Sequence, residues 1–187
     1  MSFSHRLATR RDVPVLSSLM KTAIRELQRG FLSPEQIDAS FDVMGLDTQL
    51  IDDGTYFVVE EEGVIAGCGG WSRRATLFGG DHSAGRSAAL LDPAKDAARV
   101  RAMYTNPSFA RRGVGRLILQ LCESAAAAEG FARVELAGTM AGLPLYRACG
   151  YRDLEAFEAD TRSGLRIPLM RMGKALAPLP DFRPAPK

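Results

Sequence analysis

The chain has 187 residues, of which 46% are hydrophobic and 25% are charged, and its formal net charge is +2. This length suffices for one domain with a sizeable core, and the small net charge predicts no bulk attraction to nucleic acid or to an anionic membrane. Because no segment approaches 18 consecutive apolar residues and no charged leader precedes an apolar run, we expect a soluble cytoplasmic protein. The 3 cysteines and 2 histidines are scattered, which favours reduced thiols and predicts no metal site.

The first predicted elements are a short strand and two helices. Ser4 to Thr9 favours the strand. Asp12 is expected to cap a helix that runs to Gly30, because aspartate accepts hydrogen bonds from the free N–H groups of a helix start. Ser33 and Gln36 form a capping box for the second helix. The apolar residues of the first helix recur with the helical period and are Val15, Leu16, Leu19, Met20, Ala23, Ile24 and Leu27.

A hairpin and a long insertion follow. Residues 56–60 and 64–72 flank Glu61-Glu62-Gly63, which predicts two antiparallel strands joined by a turn. Residues 73–97 are rich in glycine, alanine and serine, and a connection of that length in a compact domain is usually functional or disordered. We favour a lid over the substrate site rather than disorder.

Residues 104–119 are the most informative segment, because they run from a strand through a glycine turn into an amphipathic helix. Gly113 and Gly115 permit unusual backbone angles and a close approach of a ligand, so N–H groups at the helix start can point at a phosphate. Apolar residues then recur with the helical period as far as Gly130, and residues 131–137 alternate like a strand, which predicts a βαβ crossover. Positive charge around the turn comes from Arg111, Arg112 and Arg116.

Three phosphate-binding designs share such a strand, glycine turn and helix. A Walker loop needs Gly, four residues and Gly-Lys-Ser/Thr, and no such string occurs. A dinucleotide fingerprint needs a third glycine where this chain has Ile118, although Glu135 stands 20 residues past Gly115, where a ribose-binding acid is expected. The dinucleotide alternative is therefore weakened but stays open.

The third design is the pyrophosphate loop of GCN5-related N-acetyltransferases. Arg111-Arg112-Gly113-Val114-Gly115 resembles that loop, with Ala110 where the family has Gln or Arg. Further along, the segment from Thr139 to Tyr151 resembles the family's late segment, in which a short helix carries a tyrosine and ends at Gly followed by an aromatic residue. Because two motifs in this order are more specific than either alone, the chain is identified as a member of the GCN5-related N-acetyltransferase (GNAT) family.

The resemblance implies an α/β (α+β) fold. Its centre would be a mixed, mostly antiparallel twisted sheet of about seven strands, splayed at the acetyl-CoA site, with helices on both faces. Residues 1–174 would form a single N-acetyltransferase domain, and 175–187 a proline-rich mobile tail. The last strand, Leu165 to Met172, is expected to place Pro168 at an edge or a bulge. The fold also allows a homodimer.

The resemblance also implies an acyl-CoA-dependent N-acyltransferase that moves an acetyl group from acetyl-CoA to a primary amine. In this family the pantetheine arm pairs like an extra strand with the strand before the loop, here residues 99–105. The implied cofactor-binding residues are Met103, Tyr104, Thr105, Arg111, Arg112, Gly113, Val114, Gly115, Arg116 and Thr139.

Tyr146 is the implied catalytic residue, because a positioned tyrosine hydroxyl can protonate the leaving thiolate. An N–H group within 102–104 would stabilise the oxyanion. No base is obvious, and Glu26, Asp92 and Glu135, acting through a water, are the candidates. The alternative function is a non-catalytic module that binds acyl-CoA and reports its level to a partner.

Overall fold

The computed structural model describes residues 2–83 and 86–177. Seven strands within these ranges form one mixed sheet: β1 (Ser4–Leu7), β2 (Tyr56–Glu61), β3 (Val64–Ser72), β4 (Ala98–Thr105), β5 (Arg133–Thr139), β6 (Arg152–Asp160) and β7 (Arg166–Ala175). Their order in the sheet is β1-β2-β3-β4-β5-β7-β6. Neighbouring strands are antiparallel, apart from β4 and β5, which are parallel.

Helices cover both faces of the sheet. In the same ranges the α-helices are α1 (Val13–Leu27), α2 (Pro34–Ala39), α3 (Thr48–Asp52), α4 (Val114–Ala128) and α5 (Leu143–Ala148). Leu16 and Ile24 of α1 pack in one buried cluster with Tyr56 of β2. Ile118 of α4 packs in a second cluster with Trp71 of β3. The predicted α/β (α+β) fold, with about seven strands and helices on both faces, is confirmed.

The crossover from β4 through α4 to β5 positions the site. In the described structure these two parallel strands pair at two places, Ala98 with Val134 and Arg99 with Glu135. Beyond those pairs the strands separate, and the last six residues of β4 line a cleft together with residues of β5. The expected splay of the sheet is therefore present, and the N-terminus of α4 opens onto it.

Most predicted elements of the N-terminal half are confirmed, with shifts at their ends. The capping box starts α2, and the turn at 61–63 joins β2 to β3. Asp12 is the N-cap residue of α1, as predicted, but its side chain does not bind the helix N–H groups, because its carboxylate instead accepts hydrogen bonds from the main-chain N–H of Thr9 and from Arg6. Val15 lies on the exposed side of α1, although it was expected in the apolar stripe.

The sequence patterns did not predict α3 or β6. β6 is an edge strand with little buried surface, so it lacks a hydrophobic signal. β7 lies inside the sheet, yet Pro168 has a strand on one side only. Its pairing with β5 ends at Leu169, whereas Glu158 of β6 still lies opposite the proline. A residue without an N–H group is tolerated where one neighbouring strand has ended.

The insertion of residues 73–97 leaves the sheet as a paired stem. The N–H of Ala75 donates to the carbonyl of Ala89, which brings the two sides of the insertion together. Residues 77–79 then line the cleft. Closure of the insertion over a bound substrate stays a prediction, which limited proteolysis with and without coenzyme A tests.

The end of the chain is described only as far as residue 177. Ala175, expected in the tail, is the last residue of β7, so the sheet extends slightly past the predicted domain end at 174. Residues 178–187 of the predicted tail lie outside the described residues. None of the helices described here is long and apolar enough to cross a bilayer.

Candidate active site

The cleft between β4 and β5 has a volume of about 740 Å³, and the start of α4 borders one end of it. Gly113 precedes the helix with φ +91°, a left-handed conformation that costs other residues free energy. No side chain caps the first N–H groups of α4. Arg111 and Arg116 line this end and have no ion pair within the described residues. Free N–H groups beside two available cations are features that favour the binding of an anion.

Three other residues of the predicted loop have different surroundings. The guanidinium of Arg112 donates two hydrogen bonds of 2.8 Å to Glu61, which hold its side chain outside the cleft lining. Gly115 lies within α4, and a Cβ there would come within 2.6 Å of Leu145 in α5. Gly115 therefore permits close packing of the two helices. Val114 is buried beside them, in the core under the sheet.

A β-bulge distorts β4 where it lines the cleft. Gly69 of β3 lies opposite both Ala102 and Met103, because the register shifts at this point. Ala102 has φ +49°, which residues other than glycine rarely adopt. The hydroxyl of Tyr56, a fully buried residue, donates a hydrogen bond of 2.7 Å to the carbonyl of Ala102. This hydrogen bond supports a backbone distortion that interrupts the ladder and leaves main-chain groups for a ligand.

Tyr146 of α5 faces the same cleft from the β5 side, as does Thr139. The ring of Tyr146 packs on the main chain of Gly138 and Gly142. A Cβ atom added at Gly138 would come within 3.1 Å of a ring carbon, and one added at Gly142 within 2.6 Å. Within the described residues its hydroxyl has no hydrogen-bond partner. Burial raises the pKa of Tyr146 to about 12, because the tyrosinate anion would lose its hydration. The side chain therefore keeps its proton at neutral pH and is available as a donor.

The other end of the cleft is apolar. α1 contributes Ile24 and Leu27, and the insertion contributes Leu77 and Phe78. In the parts of the chain that the structure describes, no aspartate, glutamate or histidine lines the cleft. This end suits a ligand with an apolar body.

The three candidate bases therefore lie elsewhere. Glu26 is on the exposed side of α1. Asp92 forms an ion pair of 3.2 Å with Lys95 in the insertion. Glu135 of β5 accepts hydrogen bonds from Arg171 at 2.8 Å and from a second arginine on β4. None of these carboxylates belongs to a residue that lines the cleft, so we assign no base.

A buried ion pair that the sequence did not reveal lies beneath the apolar end. Arg101 of β4 donates to Asp47 at 2.5 Å and to the carbonyl of Gly79 at 2.7 Å. Arg86 binds the other carboxylate oxygen of Asp47 at 2.6 Å. Burial lowers the pKa of Arg101, although the charge of Asp47 opposes that shift. The only local signal was an N-cap, since Asp47 also accepts a hydrogen bond from the N–H of Gln49 in α3.

A comparison with protein families defines the class of this protein. A sequence model described as the acetyltransferase (GNAT) family matches residues 21–151, which is more than half of the chain. The chain therefore belongs to the GNAT family of N-acetyltransferases, as its two motifs indicated, and the dinucleotide-binding alternative is excluded. A comparison with curated proteins gives no match.

Solved structures share the fold at low sequence identity. A GCN5-related N-acetyltransferase from Rhodopseudomonas palustris is 18% identical, with 94% of this chain and 97% of that chain covered and a TM-score of 0.69. The PaiA N-acetyltransferase from Thermoplasma acidophilum, in complex with coenzyme A, is 13% identical, with 94% and 99% covered and a TM-score of 0.62. N-acetylglutamate synthase from Neisseria gonorrhoeae, with coenzyme A and N-acetyl-glutamate, is 14% identical over 95% of this chain and 36% of that chain, with a TM-score of 0.61.

Proposed function

We propose that the protein transfers the acetyl group of acetyl-CoA to a primary amine by direct attack within a ternary complex. One observation carries this proposal: a single cleft joins an anion site at the start of α4, a bulged strand and a protonated tyrosine. The coenzyme A complexes of two structural relatives support the choice of acyl donor. A homodimer and a cytoplasmic location stay predictions.

The residues present fit a coenzyme A thioester. The N–H groups that follow Gly113, with Arg111 and Arg116, would hold the diphosphate. The main chain of residues 103–105 would pair with the pantetheine arm along the edge that faces β5, since the pairing of β4 with β5 ends at Arg99. Arg112 would contribute through its main chain, because its guanidinium is bound to Glu61.

The transfer itself requires one bond to form and one to break. The amine nitrogen attacks the thioester carbon, a C–N bond forms, the C–S bond breaks and the sulfur leaves with the electron pair. We propose that Tyr146 gives its proton to that sulfur, while the proton of the nitrogen passes to water, from which the tyrosine is restored. A thiolate in water has a conjugate-acid pKa near 8.5, well below that of Tyr146. Transfer of the proton to a thiolate in water would therefore be unfavourable. Burial also raises thiol pKa values, however, as it raises the pKa of Cys68 to about 12, so the pKa values of donor and acceptor come closer together inside the cleft.

The amine must lose its proton before it attacks. Aliphatic amines have a pKa of about 10.4 and are mostly protonated at neutral pH. Because no carboxylate or imidazole of the described residues lines the cleft, we propose that the cleft binds the neutral amine. The apolar end favours that form, since it disfavours an unpaired charge.

Release of coenzyme A thiol from acetyl-CoA in the presence of amines tests the proposed function. We expect Tyr146→Phe to lower kcat at least about 100-fold, the lower end of the range for loss of a general acid, and to change the KM for acetyl-CoA little. Tyr151→Phe is the matched control, because this buried tyrosine lies 6.1 Å from the Tyr146 ring, outside the cleft lining. Equal kcat in Tyr146→Phe and wild type would remove the assignment. Tight coenzyme A binding without amine-dependent thiol release would instead support the sensor function.

A further inference from the structure

We infer that the acceptor is a small primary amine whose body is apolar and uncharged and carries one N–H or O–H group, which donates a hydrogen bond to Gln28. This inference rests on the proposed function and adds the class of acceptor. It depends on three features of the apolar end: an unpartnered amide, apolar walls and the absence of uncompensated charge among the described residues.

Gln28 supplies the polar feature. It follows the last residue of α1, is 7% exposed and lines the cleft. Its side-chain Oε1 is buried and has no hydrogen-bond partner within the described residues. A buried amide oxygen left unpaired costs free energy, whereas a ligand that donates to it recovers that cost. The side chain of Gln28 therefore brings an unsatisfied acceptor to the wall of the cleft.

The walls around Gln28 select an apolar body. Phe31, just beyond α1, is 52% exposed, and Phe78 of the insertion is 36% exposed, and both line the cleft. Val43 and Met44, from the segment between α2 and α3, extend the same apolar surface. Large exposed aromatic residues that border a cleft are typical of ligand-binding surfaces.

The charges of the cleft argue against polyamines and free amino acids. A second ammonium group would meet no carboxylate within the described lining, and the charged lining side chains are all arginines. An α-carboxylate would need an available cation, but Arg101, the arginine at this end, is already neutralised by Asp47 at 2.5 Å. Arg86 shares that carboxylate and also pairs with Asp81 at 3.2 Å, so the cluster is balanced.

A panel of matched amines tests the class of acceptor. Thiol release from acetyl-CoA is measured with 2-phenylethylamine, tyramine, L-phenylalaninamide, L-phenylalanine, putrescine and an unblocked peptide. We expect kcat/KM for phenylethylamine to exceed that for putrescine and for phenylalanine at least tenfold. The better of tyramine and phenylalaninamide should have a kcat/KM about fivefold above that of phenylethylamine, which is the contribution of one hydrogen bond. A preference for putrescine, phenylalanine or the peptide overturns the inference while the proposed function stands. If none of the amines gives thiol release, the inference and the proposed function are both overturned.

Variants of Gln28 test the hydrogen bond. Gln28→Leu should abolish the advantage of the donor-bearing amine over phenylethylamine, because the hydrogen bond to the donor is lost. Gln28→Glu should raise kcat/KM for putrescine relative to phenylethylamine. Gln120→Leu, the same change on the exposed side of α4, is the control. Coenzyme A-induced thermal shifts report folding of each variant. If the advantage survives in folded Gln28→Leu, or folded Gln28→Glu gains nothing with putrescine, the role of Gln28 is refuted.

Discussion

Tyr56→Phe tests whether the bulge of β4 is held in place for catalysis. The substitution keeps the ring of a fully buried residue and removes the hydroxyl that donates to the Ala102 carbonyl at 2.7 Å. Ala102 adopts φ +49°, so its conformation depends on surrounding contacts. The same hydroxyl contacts the sulfur of Cys68 at 3.3 Å, a weaker interaction. Loss of the hydroxyl should therefore act mainly through the bulge.

The size of the effect follows from the buried carbonyl. A buried acceptor that loses its donor costs about 2 kcal/mol, within the range for unsatisfied polar groups. For a chain of this size that loss corresponds to a fall in Tm of roughly 4–8 °C. Loss of a complete oxyanion-hole donor costs at least about 100-fold in kcat, so we expect a loosened bulge to cost about tenfold. The KM for acetyl-CoA should change less, because the anion site at α4 is unaffected.

Thermal unfolding and amine-dependent thiol release measure the two effects separately. Ser40→Ala is the control, since its buried hydroxyl also donates to a main-chain carbonyl, that of Ile37 at 2.7 Å, but lies outside the cleft lining and the bulge. That variant should lose stability with little loss of kcat. An unchanged Tm and kcat in Tyr56→Phe, or equal losses of kcat in both variants, would refute the argument.

Four further results are expected. Gly113→Ala should raise the KM for acetyl-CoA about fivefold or more, because alanine at this φ carries about 1–2 kcal/mol of backbone strain. Gly130→Ala is the control, since Gly130 has a similar φ of +90° but lies away from the site. Equal KM values in the two variants would refute the anion site. Asp47→Asn should lower the free energy of unfolding by about 3–5 kcal/mol in urea titrations, because two arginines lose their counter-charge. At low amine concentration, turnover should rise about tenfold per pH unit from pH 7 to 9 as neutral amine accumulates, and a plateau near pH 7 would indicate an enzymic base. Arg6 holds the pKa of Asp12 below its unfolded value, so the ion pair stabilises the fold above about pH 5 and this stabilisation is lost as the pH falls. Asp12→Asn should therefore lower the free energy of unfolding at pH 7 and make it depend less on pH in the acid range.

The sequence by itself determined the crossover and the family. Helical periodicity ending at Gly130 and the glycine turn are local signals, because they depend on backbone angles and on which face of one segment is apolar. The late segment was equally local, and Gly150 has the expected left-handed conformation, with φ +90°, before the buried Tyr151. Through the family resemblance, these patterns implied that the cofactor lies along residues 99–105, without any knowledge of the other strands.

Only the tertiary structure decided which side chains face the cleft. Arg112 belongs to the predicted loop, yet Glu61, 51 residues earlier, binds its guanidinium and holds it outside the lining. Gln28 carries no motif, yet the end of α1 places this residue, with its buried unpaired oxygen, in the wall of the cleft. Asp47, the N-cap residue of α3, and Arg101 of β4 are 54 residues apart and meet because the start of α3 packs beside β4. Side-chain direction, burial and charge compensation depend on segments that are distant in sequence, so local periodicity carries no information about them.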